Sequence, residues 1–195
     1  MTYQDVDKLC FDLRRVIAGR KISLVGNAAS LLSSRYGAQI DDGCVVRINS
    51  GVPIRPAAQG RRVDIHCFST RSSFLYNMGR ASWRVRLKRR YFDNAFSVWM
   101  SAVERDLCEN PQQAFYPIAL LDDLTARLGA PPSIGSRALH MLTELTEAEV
   151  WLFGFDFKES TSFYRQKENR GPHDWAAERE YAYSLVRDGR IVLVR

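Results

Sequence analysis

Among the three histidines, His173 stands where a proton could be moved. It follows Gly171-Pro172 and precedes Asp174, a candidate N-cap for a helix over 174–187. At a helix N-terminus the dipole disfavours imidazolium, and a neutral imidazole near pH 7 is the form a general base needs. The position suits a second capping residue equally well. His66, in a strand-like run, and His140, in a helical one, read as packed or surface residues.

Anion chemistry has three further candidates. In RKISLVGNAASL, residues 20–31, an apolar strand runs into Gly26 and Asn27, but the second and third glycines of a dinucleotide fingerprint are missing. Gly26 permits a tight turn. Asn27 offers a carbonyl and an amide at a strand's carboxyl end, where α/β folds bind ligands. Ala28, Ala29 and Ser30 are small enough to admit a ligand. A second strand ends in Arg47-Ile48-Asn49, so Asn27 and Asn49 could bracket a sugar or phosphate; each alone is an ordinary turn residue. Ser133, Ile134 and Gly135, after Pro131-Pro132, form a turn before a helix whose N–H groups suit an anion. An ordinary loop–helix–strand crossover fits that spacing better.

The elements that must position these residues alternate. Strands are predicted at Ile22–Val25, Cys44–Ile48, Val63–Phe68, Phe96–Met100, Ala114–Ile118, Val150–Phe153 and Ile191–Val194. Helices are predicted over 2–18, 28–34, 101–109, 119–128, 136–147 and 174–187. This pattern implies an α/β fold with a mostly parallel sheet flanked by helices. The chain, 195 residues long, is sized for a single domain over 1–195, and no linker or repeat divides it. The polar loop 158–172 is of a length more often functional than not.

The net charge of +6 favours anionic partners: nucleic acid, a nucleotide or an anionic membrane. A solvated basic surface explains it as well. Residues 83–91, WRVRLKRRY, alternate charged and apolar positions and read first as an exposed edge strand protected by its charges. The second reading is contact with anionic lipid or nucleic acid through Arg84, Arg86, Lys88, Arg89 and Arg90. The cysteines, Cys10, Cys44, Cys67 and Cys108, lack zinc spacing, and Cys44 and Cys67 read as buried thiols. No stretch has membrane-spanning length and none reads as a signal peptide, so a cytoplasmic protein is expected.

Three stretches together resemble the motifs of the sialyltransferases. VGNAASLLSSRYGAQIDDGCVVRIN, from Val25 to Asn49, resembles the large sialyl motif: a VGN turn, a later YG, an ID and an R-x-N ending. PPSIGSRALHMLTELTEAEVWLFGFDF, from Pro131, resembles the small motif. HDWAAE, His173 to Glu178, matches the very small motif. The GN–SL start and GFDF are also similar to the compact bacterial branch.

The resemblance implies a Rossmann-like, GT-A-like domain and a metal-independent, inverting transfer of an acidic sugar from a CMP donor. The sugar would be sialic acid or Kdo, the acceptor a glycan or glycolipid hydroxyl. The CMP-sugar would be a co-substrate, with no cofactor. By position, Gly26, Asn27, Ser30 and Asn49 would meet the donor phosphate and nucleotide. Ser133 and Gly135 would meet cytidine or the donor carboxylate through main-chain N–H groups, and His173 would be the base. Tyr164, Arg165 or Arg170 would stabilise the departing phosphate.

There are departures. The animal enzymes carry a further histidine between the small and very small motifs; here there is none, and Tyr164 is the candidate replacement. The small motif has no cysteine for the disulfide that joins it to the large motif in animal enzymes. With no anchor either, the resemblance points to a bacterial or phage cytoplasmic enzyme, peripheral at the inner membrane face. A non-catalytic nucleotide- or nucleic-acid-binding α/β protein is the alternative.

Overall fold

The computed structural model describes residues 3–88, 90–101, 103, 113–164 and 171–194. Seven strands form one sheet: β1 (Ile22–Val25), β2 (Cys44–Ile48), β3 (Ile65–Phe68), β4 (Phe96–Trp99), β5 (Gln113–Phe115), β6 (Val150–Phe153) and β7 (Ile191–Val194), in the order β5-β4-β3-β2-β1-β6-β7. Every pairing is parallel, so the sheet is wholly rather than mostly so.

From β1 the chain builds outward to β5, then returns to lay β6 on the other side of β1. This reversal makes the carboxyl ends of β1 and β6 a topological switch point, where the crossovers diverge and leave a crevice. In register, Val25 pairs with Phe153, so both strands end at the same level.

All residues of β1, β2 and β3 are buried, as expected of strands covered on both faces. On one face Ile22, Leu24, Val46 and Ile65 pack against α1 (Tyr3–Ile17), α7 (Ile134–Leu145) and α8 (Trp175–Arg187). Helix α1 contributes Leu9, Leu13 and Ile17, one turn apart. On the other face Val25, Val45 and Phe153 meet Leu31, from a 3₁₀ turn (Ala29–Ser33), and Ile40 of α2 (Gly37–Asp41).

The predicted strands all form, four with the expected ends and three with shifted ones. Val63–Phe68 shortens to Ile65–Phe68. Ala114–Ile118 becomes Gln113–Phe115, because Pro117 caps α6 (Ile118–Leu128) and Ile118 begins the helix. The helix expected over 101–109 lies, apart from Ser101 and Val103, outside the described residues. Helices α2, α3 (Pro56–Gln59), α4 (Arg71–Arg80) and α5 (Trp83–Arg86) were not anticipated.

The last of these corrects the edge-strand reading of 83–91. Ser82 stands at the N-cap, and the one-turn helix sends only Val85 inward, onto Met78, Ala81 and Phe92. One buried residue between charged neighbours imitates a two-residue period over so short a run. Cys44 and Cys67 are buried thiols, as expected. Among the described residues no helix is long and apolar enough to cross a membrane.

Candidate functional site

A cleft of about 640 Å³ opens at the switch point. Its base is the turn after β1 (Gly26, Asn27), the end of β2 (Ile48, Asn49) and the turn after β6 (Gly154, Phe155). The N-terminus of α7 and the start of α8 form walls, and Ser69, Ser73 and Asn77 add polar groups from β3–α4.

The β1 turn departs from a dinucleotide loop for a visible reason. Gly26 N–H donates to Phe153 O at 2.7 Å, Ala28 N–H to Gly154 O at 3.2 Å and Ala29 N–H to Thr161 O at 2.9 Å. The segment after β6 folds back and pairs Ser162 with Ala28 in an antiparallel bridge. Those N–H groups are therefore committed within the chain, and the turn does not cradle a pyrophosphate. Gly26 serves the junction instead: a Cβ there would overlap the Gly154 carbonyl and lie 2.9 Å from the Phe155 ring.

Asn27 ties the first two strand ends together. Its amide donates to Ile48 O at 3.1 Å, and its backbone carbonyl accepts from Phe163 N at 3.0 Å. Its Oδ1 is buried with no hydrogen-bond partner among the described residues. Asn49 has a left-handed backbone, φ 51°, which asparagine tolerates better than most side chains. Its carbonyl accepts from His66 Nε2–H at 2.8 Å. His66 stacks on Phe92 with centroids 3.8 Å apart, and burial drives its pKa down to about 4, so it is a neutral core residue.

Ser133 is the N-cap of α7, its hydroxyl oxygen accepting from Ser136 N at 3.3 Å. Its own N–H donates to Glu178 Oε1 at 2.6 Å and its hydroxyl to Glu178 Oε2 at 2.8 Å. The Ser133 N–H expected to reach a donor is thus held, together with the hydroxyl, by a buried carboxylate from α8. The next two N–H groups, of Ile134 and Gly135, have no partner among the described residues, and both residues line the cleft. A free pair of N–H groups at a helix N-terminus is an anion site. A Cβ on Gly135 would lie 3.1 Å from the Phe155 ring, so glycine keeps this wall close to Phe155.

His173 is not a cap. Asp174 fills that role, its carboxylate accepting from Ala177 N at 2.9 Å. His173 Nδ1–H donates instead to Pro131 O at 2.7 Å, which leaves Nε2 outside that bond. The ring borders the cleft and meets Trp175 edge-on, centroids 5.2 Å apart.

Of the other expected residues, Tyr164 lines the cleft and packs against Phe163. Ser30 does not: the 3₁₀ turn points it outward, where its hydroxyl donates to Asp156 at 3.4 Å. Arg165 and Arg170 lie outside the described residues.

Sequence reasoning missed Lys158, a cation in the cleft wall that donates to Ser162 Oγ at 3.1 Å. It and Phe157 are non-glycine residues with left-handed backbones, φ 71° and 49°. It also missed Ser73 and Asn77, although Thr70, which caps α4 by accepting from Ser73 N at 3.2 Å, marks that helix's start. Among the described residues no group of three or more His, Cys, Asp or Glu could hold a metal ion.

An open parallel sheet with a cleft at its switch point defines the class: a Rossmann-like α/β architecture. No protein-family model matches the chain, and no curated protein matches it in sequence. Solved structures do match in fold. The chain is similar to a mammalian sialyltransferase at 19% identity and TM-score 0.65, over 97% of this chain and 78% of that one. It is similar to the sialyltransferase CstII from Campylobacter jejuni in complex with CMP at 14% identity and TM-score 0.58, over 89% of this chain and 79% of that one. CstII with a trisaccharide acceptor and CMP matches at 15% identity and TM-score 0.57, over the same shares. The chain therefore has the GT-A-like fold found in sialyltransferases.

Proposed function

We propose that this protein is a glycosyltransferase that moves an acidic sugar from a CMP-activated donor to a hydroxyl of a glycan or glycolipid. The observation that carries this is the setting of His173: its Nδ1–H is held by Pro131 O, which leaves Nε2 outside that bond, and His173 lines the switch-point cleft together with Ile134 and Gly135. Fold likeness to sialyltransferases solved with CMP and with an acceptor supports the choice of donor.

In this reading the acceptor hydroxyl gives its proton to His173 Nε2 as its oxygen bonds to the anomeric carbon. The bond from that carbon to the phosphate oxygen breaks in the same displacement, which inverts the centre. The imidazolium that forms keeps its Nδ1–H on Pro131 O. Negative charge grows on the departing CMP, and the Ile134 and Gly135 N–H groups, with Lys158, are the donors available to receive it. Asn27 and Asn49 position the donor at the strand ends. Tyr164 takes the place of the histidine that animal enzymes carry. Sialic acid is the first choice of sugar and Kdo the second, and the reaction needs no metal.

The test supplies CMP-sialic acid or CMP-Kdo with galactose-terminated acceptors in EDTA. Release of CMP with a glycosylated product of inverted configuration is expected. No turnover of either donor contradicts the reading, and turnover only after adding a divalent metal contradicts metal independence.

A further inference from the structure

From Ile65 to Phe92 the chain holds seven Lys or Arg and no Asp or Glu. Helix α4 divides this segment's surface into three faces. Phe74 and Met78 face a small core of their own with Val52, Val85 and Phe92. Ser73 and Asn77 face the cleft. The third stripe, Ser72, Leu75, Tyr76 and Gly79 at helical spacing, faces solvent. Leu75 is 57% and Tyr76 55% exposed, and α5 continues the surface with Trp83 at 61% and Leu87 at 75%.

The basic residues surround these apolar ones. Arg80 stacks on the Tyr76 ring, 3.8 Å from its centroid, and Arg84 lies over Trp83 at 5.4 Å. Arg71, Arg84, Arg86 and Arg90 are exposed and make no ion pair among the described residues.

We propose that the α4–α5 surface docks the protein on an anionic lipid bilayer, with Trp83, Leu87, Leu75 and Tyr76 entering the interface and the arginines meeting headgroup phosphates. Exposed leucine and tryptophan beside unpaired arginines are what an interfacial segment requires: apolar area to bury, and cations for the negative surface. A second copy of this chain fits poorly, since a two-fold contact would set the same arginines against themselves. Nucleic acid would use the arginines but leaves Leu75 and Leu87 without a partner.

Because α4 also lends Ser73 and Asn77 to the cleft, docking would bring the cleft near acceptors carried on lipid. That corollary rests on the transferase reading; the docking itself does not.

The test is flotation of the full chain with vesicles of phosphatidylcholine alone or with about a third phosphatidylglycerol, a proportion chosen to give a negative surface potential. Flotation with the anionic vesicles only, weakening as salt rises, is expected. Trp83→Ser with Leu87→Ser should lower bound protein at least tenfold with the charge unchanged, and Arg84→Glu with Arg86→Glu should do the same. All four side chains are exposed, so the variants should keep the parent's CMP affinity and its turnover of a soluble acceptor. No flotation, or flotation indifferent to the Trp83 and Leu87 changes, overturns the proposal. Tight oligonucleotide binding untouched by those two changes would assign the surface to nucleic acid instead. Flotation without any turnover would sink the transferase reading and leave the docking standing.

Discussion

The imidazole of His173 is bonded to the backbone carbonyl of Pro131, Nδ1 to O, at 2.7 Å. Five residues further along the same segment, Glu178 holds both the N–H and the hydroxyl of Ser133. The residue leading into α8 and the first turn of that helix therefore hold the approach to α7 at two points. One orients the His173 ring, and the other braces the helix end that carries the Ile134 and Gly135 N–H groups. The base and the anion site of the proposed mechanism are thus linked through hydrogen bonds to the same stretch of chain.

The base has the most direct consequence. His173→Ala should lower turnover by about 10²–10⁴, the usual contribution of general acid–base catalysis. CMP affinity and melting temperature should stay near the parent's, since the ring contacts no nucleotide-binding group in this reading. Single-turnover kinetics beside CMP calorimetry would check this; unchanged turnover removes His173 from the mechanism.

Glu178→Gln keeps the volume but replaces one accepting oxygen with an amide donor facing Ser133. A buried polar mismatch of this kind costs about 1–3 kcal/mol. In a domain of this size the melting temperature should fall by roughly 2–4 °C for each kcal/mol. CMP affinity should fall too, because the α7 N-terminus loses its brace. Scanning calorimetry with and without CMP reads both; lower stability with unchanged CMP affinity would separate Glu178 from the anion site.

Gly26→Ala places a methyl against the Gly154 carbonyl at the junction of β1 and β6. Overpacking of this sort costs about 1–3 kcal/mol, and the two turns must part to admit it. Both a lower urea midpoint and weaker CMP binding are expected. A variant as stable as the parent would show that the junction yields without strain.

His66 makes stability depend on pH. Its folded-state pKa is depressed to about 4 by burial, against about 6.5 when unfolded. Between those values the unfolded chain binds the extra proton. The contribution is therefore fully present above about pH 6.5 and lost as pH falls toward 4, about 3 kcal/mol in all. Over pH 7.5 to 4.5 the urea midpoint of the parent should fall more steeply than that of His66→Phe. Parallel curves would mean the buried ring carries no such linkage.

The central strands were legible in the sequence because burial on both faces leaves short apolar runs, and Ile22–Val25, Cys44–Ile48 and Val150–Phe153 are such runs. Helices α4 and α5 were not, because their inward residues number few and their outer face carries Leu75, Trp83 and Leu87, which blur the period. Individual residue types pointed to the cleft, and Gly26, Asn27, Asn49, Ser133, Gly135, Tyr164 and His173 all line it. What each group bonds was not legible. That Glu178 occupies Ser133, and that the chain's own loop satisfies the N–H groups after β1, depends on contacts between residues 45 and more than 130 positions apart. Lys158 gave no local signal at all, since its place depends on how the segment after β6 folds back onto Ala28.

The measurement that tests the central claim most directly is a calorimetric titration of CMP into the purified protein, with EDTA present and with AMP, GMP and UMP as controls. The account expects binding to CMP, in the absence of metal, and little or none to the other three. No binding to CMP, or equal binding to all four nucleotides, would contradict it.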